Sequence, residues 1–279
     1  MNSLLKNYRG RFPFKLATTS YIYPDEIVPN VARLALSFDE IELVLFESKD
    51  ENSIPDRVQI EQLIRLTRLH RVGFNIHLPL DIFLGDECEQ VRARGVAIAK
   101  KVIERTLPLQ PSLYTLHLDL KNPPMGTDFK SVPILQSVPI SDPIESWRLR
   151  LMRSLEEILA DGIEPKKVSI ETLGYPFEWI EDIVRRFGFS ICLDIGHILT
   201  HGYDLERYLK SYLPETSIIH LHGVRNEKDH LGIEKLAGPV LEKILSCLRQ
   251  YRGIVSIEVF SIDELRSSLD ILEGQWAEG

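Results

Sequence analysis

The sequence contains little cysteine, and its three cysteines do not form a recognisable pair. Cys88, Cys192 and Cys247 are widely spaced and odd in number, and no CxxC motif is present. The pattern therefore indicates neither a disulfide framework nor a zinc ribbon. It fits a reducing compartment, so we expect a cytoplasmic protein.

Long apolar runs and an excess of positive charge are also missing. No window approaches the ~18 apolar residues of a membrane span, and no apolar h-region follows the basic N-terminal segment MNSLLKNYRGRFPFK. We therefore expect neither a membrane partner nor a signal peptide. The chain has 33 Lys and Arg against 41 Asp and Glu, a net charge of −8. Because nonspecific nucleic-acid binders usually carry a basic footprint, this balance disfavours a nucleic-acid partner.

What the sequence does contain is a regular alternation of strand-like and helix-like segments. Eight short segments have the composition of buried strands, and helical periodicity lies between them. This alternation predicts an α/β protein with a parallel sheet inside and helices outside. Eight repeats in 279 residues predict a single (β/α)8 TIM barrel over residues 1–279. The predicted strands are 16–22, 40–47, 74–79, 113–120, 167–173, 189–195, 217–224 and 253–260.

One connection, residues 121–143, is longer than the others. Unstructured loops of this length are usually functional or disordered. The loop follows the fourth predicted strand, so we expect it over the C-terminal face of the barrel. An ordered lid and a disordered excursion both remain open.

Several predicted strands have an apolar side and a polar or small side. In the fourth strand, for example, Leu116 and Leu118 share one side, and His117 and Asp119 share the other. The apolar side suits packing against helices, so the polar side is predicted to face the barrel interior. The ionisable residues also lie near the C-terminal strand ends, where barrel active sites are found. The inward residues predicted in this way are His77, His117, Glu171, Asp194, His220, His222 and Glu258.

The segment SICLDIGH, residues 190–197, ends with a carboxylate and an imidazole. Gly196 permits a tight turn, which we expect to bring His197 back over the mouth where Asp194 points. Seven of the eight histidines follow this pattern at strand ends or in the next loop, and only His70 lies at the opposite face. These seven are His77, His117, His197, His201, His220, His222 and His230.

A convergence of buried acids and imidazoles predicts a bound cation. Any single strand-end histidine is more often a hydrogen-bonded core residue, and a single buried glutamate can pair with arginine. Several unpaired charges buried together cost several kcal/mol each, so a neutralising cation is the economical explanation. Mixed nitrogen and carboxylate ligands suit zinc, manganese or iron better than calcium.

The order of these residues resembles a known superfamily. A fourth-strand His, a fifth-strand Glu, the sixth-strand LDIGH, a seventh-strand His and an eighth-strand Glu resemble the xylose isomerase-like barrels. These include sugar isomerases and epimerases and the endonuclease IV-like AP endonuclease family 2. The resemblance implies one to three divalent ions, zinc or manganese, at the barrel mouth. The implied ligands are His77, His117, Glu171, Asp194, His197, His220, His230 and Glu258.

The chain departs from the endonuclease pattern after the seventh strand. The pattern has Asp-x-His, whereas Asp229 and His230 are adjacent here. His230 remains a candidate ligand, but its partnering aspartate is open. One or two ions are therefore implied more directly than three.

A narrower resemblance suggests a substrate. TTSYIYPDEIVPNV, IELVLFE and DHLG are similar to segments of the cobamide-remodelling phosphodiesterases, which hydrolyse the phosphoester joining a cobamide's nucleotide loop to its corrin ring. The resemblance implies a small-molecule cobamide substrate and catalytic roles for Glu171, His197 and Glu258. Glu171 would bridge two ions or act as a base. Candidate substrate-binding residues are Tyr21, Tyr23, Glu47, His222, Arg225 and Lys228.

These substrate residues have simpler alternatives. The tyrosines could pack under a loop, and Arg225 and Lys228 could be solvated charges. Glu42 and Glu47 cannot share a face of the second strand, and Glu47 is preferred because it lies nearer the mouth.

Three other functions remain open. A sugar isomerase or epimerase would use Glu171 and Glu258 to move a proton, but the additional His77, His117 and His230 argue against it. A DNA-repair endonuclease is disfavoured by the acidic charge. A non-enzymatic corrinoid or sugar carrier would not need so many metal-type ligands.

Overall fold

Eight parallel strands form the centre of the structure, a computed structural model that describes residues 5–47, 54–120, 142–226 and 228–277. They are β1 (Lys15–Thr19), β2 (Glu40–Val44), β3 (Gly73–His77), β4 (Tyr114–Leu116), β5 (Val168–Glu171), β6 (Ser190–Asp194), β7 (Thr216–Leu221) and β10 (Ile254–Ile257). Neighbours pair in the order β1-β10-β7-β6-β5-β4-β3-β2, and β1 pairs with both β2 and β10. The sheet therefore closes, which confirms the predicted (β/α)8 barrel.

Helices connect the strands in the described part of the chain. They are α1 (Ile27–Leu34), α2 (Arg57–His70), α3 (Glu89–Thr106), α4 (Asp142–Leu159), α5 (Glu181–Phe187), α6 (Ile195–Thr200), α7 (Leu205–Tyr212), α8 (Gly238–Leu248) and α9 (Ile262–Ala277). None of these helices is long and apolar enough to cross a membrane. Of the predicted loop 121–143, residues 121–141 lie outside the described residues, and 142 and 143 begin α4.

Helix α2 illustrates how the sequence sets a boundary and a buried face. Asp56 accepts the N–H of Gln59 while the Gln59 side chain accepts the N–H of Asp56, a capping box at the helix start. Arg71 ends the helix in the left-handed region at φ 54°. Ile60 and Leu63 point at the barrel, and burying such a side chain contributes about 1.5–3 kcal/mol.

The predicted seventh strand is longer than the observed one. β7 ends at Leu221, and the chain then forms an antiparallel hairpin of β8 (Gly223–Arg225) and β9 (Lys228–Leu231). Gly223 allows this crossing because a Cβ there would lie 2.0 Å from the carbonyl oxygen of Gly232. The hairpin projects from the C-terminal end of the barrel, above the predicted site.

Side chains inside the barrel follow the predicted alternation. A small apolar cluster fills part of the interior, and it consists of Ala17, Leu113, Cys192, Ile218 and Ile254. Residues of the opposite parity, such as Leu116 and Leu193, join the larger core. The interior is therefore a packed layer rather than a pore, and its polar groups must find partners within it.

Glu40 closes the N-terminal end of this interior. Its Oε1 lies 2.8 Å from the ammonium of Lys15, and its Oε2 accepts hydrogen bonds from Ser112 at 2.6 Å and Asn75 at 3.3 Å. Glu40 is thus fully partnered at the end of the barrel away from the predicted site.

Candidate metal centre

The C-terminal strand ends bring carboxylates and imidazoles together at one mouth of the barrel. His77, Glu171 and Asp194 are the last residues of β3, β5 and β6. His220 on β7 is flanked in register by Asp194 on β6 and Ser256 on β10. Strand register therefore fixes the centre of the cluster, and the residues just past the strand ends complete it.

The first group, named subsite 1, consists of His77, His117 and Glu171. Their ligand atoms all lie within 4.8 Å of one another. Oε2 of Glu171 is 3.1 Å from Nε2 of His77 and 3.0 Å from Nε2 of His117. Nδ1 of His77 donates to the carbonyl oxygen of Leu78 at 2.9 Å, which leaves the Nε2 lone pair for the subsite.

The second group, subsite 2, surrounds Nδ1 of His220. This atom lies 3.6 Å from Oε2 of Glu171, 3.7 Å from Oδ2 of Asp194 and 3.2 Å from Oε2 of Glu258. Nε2 of His220 donates to Oε1 of Glu42 at 2.9 Å, so its proton is fixed on the side away from the subsite. Nδ1 of His220 and Oε2 of Glu258 are buried and make no hydrogen bond with any described residue.

The third group, subsite 3, consists of His197, Asp229 and His230, whose ligand atoms again lie within 4.8 Å of one another. Nδ1 of His197 lies 3.2 Å from the carbonyl oxygen of Thr172, and Nδ1 of His230 lies 3.2 Å from that of Glu258. These contacts hold the ring protons on Nδ1. Both Nε2 atoms therefore keep a lone pair that could bind a metal ion. Asp229 thus lies where the carboxylate partner that the sequence left open would be needed.

Asp194 and helix α6 place His197 over the mouth. Asp194 is the N-cap of α6, and its Oδ1 accepts the N–H of His197 at 2.7 Å. The prediction that Gly196 provides a tight turn is wrong, because Gly196 lies in this α-helix without a positive φ. A Cβ at Gly196 would instead lie 1.8 Å from Cε1 of His222, so the glycine is required by the approach of a side chain.

The acids and histidines of the site shift one another's pKa values. Burial favours the neutral acids, but the nearby histidines hold the pKa of Glu171 and of Asp194 well below the usual values and lower that of Glu258 to about 2. Burial opposes protonation of His77 and His197, yet contacts with Glu171 and Asp194 raise their pKa values to about 9 and about 10. The carboxylates therefore attract positive charge, which protons supply when no metal does.

The donor set fits divalent metal ions. Orphaned buried donor atoms in subsite 2 are the groups that a cation would satisfy. Histidine rings fixed through their second nitrogen are typical of metal ligands. Imidazole and carboxylate donors together match zinc or manganese. His77, His117, Glu171, Asp194, His197, His220, Asp229, His230 and Glu258 would hold the ions.

The predicted substrate-binding residues occupy different environments. Tyr21 joins a row of aromatic rings at the mouth, 4.9 Å from Phe46, whereas Tyr23 lies under the guanidinium of Arg33 at 4.9 Å. Glu47 is exposed beyond the end of β2, and Arg225 and Lys228 are exposed, paired positions of the hairpin. His222 is 0% exposed, with Nε2 3.2 Å from Oδ1 of Asp194.

Sequence reasoning missed Glu42, Phe46 and Phe260. Glu42 is buried in the barrel, where it contacts His220 and accepts a hydrogen bond from Ser256 at 2.5 Å. The alternation of Glu42 with Ile41 and Leu43 could have indicated this, but Glu47 was preferred for its position. Phe46 and Phe260 extend the aromatic row and had no distinguishing signal.

The closed parallel barrel and the donor set at its C-terminal mouth give the class of the protein, a TIM barrel with a candidate metal centre. The family model described as "Xylose isomerase-like TIM barrel" matches residues 31–277, so the chain belongs to this family. A probable endonuclease 4 of Aster yellows witches'-broom phytoplasma (strain AYWB) is 24% identical over 237 residues, which cover 76% of this chain and 78% of that protein.

Solved structures with a related fold include proteins named as epimerases and an endonuclease. A D-tagatose 3-epimerase-like protein superimposes with a TM-score of 0.73 at 19% identity, covering 95% of this chain and 98% of that one. Endonuclease IV from Thermus thermophilus gives 0.68 at 15% identity, covering 95% and 100%. The IOLI protein, solved with a zinc atom, gives 0.69 at 14% identity, covering 95% and 99%. At these identities the likeness shows the fold alone.

Proposed function

We propose that this chain is a metal-dependent phosphodiesterase. The observation that carries the proposal is the position of Glu171 between subsites 1 and 2, with Oε2 3.1 and 3.0 Å from Nε2 of His77 and His117 and 3.6 Å from Nδ1 of His220. Adjoining divalent ions in such a site would activate water near neutral pH and would stabilise charge on the attacking and departing oxygens of a phosphoester. One carboxylate shared between subsites suits this kind of in-line displacement.

The chain's own residues take distinct roles in this proposal. Glu171 bridges subsites 1 and 2, or serves as the base if a single ion binds. Glu258 directs its side chain at His220 while its carbonyl oxygen accepts from the ring of His230, so it links subsites 2 and 3. His197, 19% exposed at the edge of the mouth, would hold an ion of subsite 3 through Nε2, and that ion would stabilise charge on the departing oxygen of a substrate.

We further propose a cobamide as the substrate, cleaved between its nucleotide loop and its corrin ring. Tyr21, Phe46 and Phe260 form a row with ring centroids 4.9 and 5.5 Å apart and planes inclined by 54° and 52°, an aromatic edge that supports packing of a large ligand. Phe260 also lies 5.1 Å from the ring of His230, so the row borders subsite 3 directly. A corrin ring packed against this edge would place an attached phosphate beside the metal centre. Arg225 and Lys228 can contact its oxygens from the hairpin.

The test combines metal analysis with direct observation of cleavage. Purified, metal-loaded protein is incubated with an adenosylcobamide, and mass spectrometry looks for separated corrin and nucleoside products. Glu171→Gln and His197→Ala should abolish turnover, while Glu61→Gln, on the exposed face of α2, and His70→Ala, at the far end of the barrel, should not. Intact cobamide with a metal-loaded protein would count against the substrate, and an active Glu171→Gln protein would contradict the assigned chemistry.

A sugar epimerase or isomerase is the second candidate. Glu171 and Glu258 approach the same atom, Nδ1 of His220, at 3.6 and 3.2 Å, as two carboxylates on a shared ion would. Such a pair could remove a proton from one face of a sugar carbon and return it on another. Incorporation of deuterium from solvent into a sugar C–H bond would favour this reading. Incision of abasic DNA would instead indicate a repair endonuclease.

A further inference from the structure

The imidazole of His222 lies between subsites 2 and 3 without contacting solvent. The residue follows β7 directly and is 0% exposed. Its Nε2 is 3.2 Å from Oδ1 and 3.4 Å from Oδ2 of Asp194, a subsite 2 residue. Its Nδ1 is 2.9 Å from the backbone nitrogen of His230, a subsite 3 residue. The ring therefore connects the two subsites by hydrogen bonds.

These contacts determine the tautomer of His222. The backbone N–H of His230 can only donate, so Nδ1 must accept and carries no proton. The carbonyl oxygen of Gly223 also lies 3.4 Å from Nδ1, and a hydrogen bond to it would require a proton on Nδ1. The shorter contact, 2.9 Å from the N–H of His230, excludes that proton. The proton then lies on Nε2 and is donated to Asp194. Neither nitrogen retains a free lone pair, although His222, His230 and Glu258 have ligand atoms within 4.8 Å of one another.

The bond to His230 stabilises an unusual backbone conformation. His230 has φ 52°, in the left-handed region that side chains other than glycine rarely adopt. Neighbouring residues of a regular strand point to opposite sides, so adjacent Asp229 and His230 would normally diverge. The left-handed residue breaks this alternation and allows both side chains to face His197. This is how an adjacent Asp-His pair can stand where the endonuclease pattern has Asp-x-His.

Packing holds the His222 ring in this position from two sides. A Cβ at Gly196 would lie 1.8 Å from Cε1 and 2.4 Å from both ring nitrogens, so the ring rests directly on the backbone of α6. On the other face, the ring stacks on His230 with centroids 4.3 Å apart and planes inclined by 28°. The space for the ring exists because residue 196 is glycine.

We propose that His222 is a positioning residue that assembles subsite 3, rather than a metal ligand or a substrate contact. It orients Asp194 through Nε2–H and holds the His230 backbone through Nδ1, so the two subsites form together. The inference rests on the metal centre of the proposed function but not on its substrate. The predicted contact of His222 with substrate is not favoured by a buried ring whose two nitrogens are both engaged.

The test measures metal stoichiometry and needs no turnover. Wild-type, His222→Phe and His222→Gln proteins are dialysed against zinc, and bound zinc is counted by mass spectrometry. Phenylalanine keeps the stacking but makes neither hydrogen bond. The His222→Phe protein should therefore bind one zinc ion fewer, or bind its weakest zinc ion ~10–100-fold less tightly. Gln offers both an acceptor and a donor and should retain more affinity than Phe. His230→Ala should lose the same ion, with no further loss in the double variant.

Two additional measurements separate positioning from ligation. In the zinc-loaded wild type, ¹⁵N NMR of the histidine rings should show His222 protonated at Nε2 and not ligated to metal. Gly196→Ala retains His222 but displaces its ring, and should weaken the same ion while circular dichroism shows an intact fold. Unchanged zinc binding in His222→Phe, or a His222 ring bound to zinc, would overturn the inference alone. A wild type that binds no metal would overturn the proposed function with it.

Discussion

Substitution of Glu42 by glutamine should weaken metal binding without moving any ligand. Glu42 accepts the Nε2 proton of His220 at 2.9 Å and a hydrogen bond from Ser256 at 2.5 Å. The glutamine amide oxygen can still accept from His220, and the Ser256 hydroxyl can rotate to accept from the amide N–H. The variant therefore removes the charge behind His220 but preserves its tautomer. A less polarised imidazole is a weaker ligand.

The expected loss of metal affinity can be judged from other residues that, like Glu42, hydrogen-bond to a metal ligand. Their removal typically costs 10–100-fold in metal affinity, and because glutamine keeps the hydrogen bond we expect about 10-fold. This corresponds to ~1.4 kcal/mol of binding free energy. Competition with a chromophoric zinc chelator at fixed pH measures the dissociation constant directly.

Glu40 provides a matched control for this experiment. It lies on the same face of β2, one interior position closer to the N-terminal end of the barrel, where it pairs with Lys15. Glu40→Gln should lower the free energy of unfolding but leave zinc affinity unchanged. A Glu42→Gln protein that binds zinc as tightly as the wild type would refute the assigned role of Glu42. An equal loss in Glu40→Gln would show that the effect is not specific to His220.

Three other predictions concern pH, packing and substrate binding. In the metal-free protein, protonated His77 and His197 stabilise the fold fully below pH 6.5, and this contribution is lost as the pH rises through about 9 and about 10, so the Tm should fall over that range. The Tm of the zinc-loaded protein should not fall in this way, because zinc replaces the protons. If differential scanning calorimetry gave the same dependence of Tm on pH with and without zinc, the assigned metal site would be contradicted. Arg92 is 1% exposed and joins α3 to α4 through its contacts with Glu89, Glu157 and Ser154. In urea titrations, Arg92→Leu should lower the free energy of unfolding by ~2 kcal/mol, and the zinc content should not change. Phe260→Ala should raise KM for a cobamide more than it lowers kcat in steady-state assays, and the opposite pattern would argue against the aromatic row as a binding surface.

The barrel and much of its mouth were predictable because they depend on local patterns. Strand alternation assigns an inward or outward side to each residue, and parallel strands in a closed barrel all end at the same mouth. His117, Glu171 and His220 could therefore be placed together without knowledge of any tertiary contact. The sixth predicted strand, residues 189–195, ends one residue too late, because α6 begins at Ile195 directly after β6.

Features that depend on contacts between distant segments could not be predicted. Glu42 and His220 are 178 positions apart, so nothing near Glu42 in the sequence identifies its partner. Gly196 was recognised as necessary but for the wrong reason, because the need arises from the ring of His222. The convergence of Asp229 with His230 depends on one left-handed φ angle, which the sequence DHLG does not reveal.

The central claim is that the C-terminal mouth of this barrel binds divalent metal ions. The most direct test is anomalous X-ray diffraction, at the zinc absorption edge, from crystals of zinc-loaded protein. We expect peaks within ~2.0–2.2 Å of the donor atoms of His77, His117 and Glu171 and of His220, Asp194 and Glu258. Crystals with zinc bound elsewhere, or with no anomalous peak between these side chains, would contradict the claim.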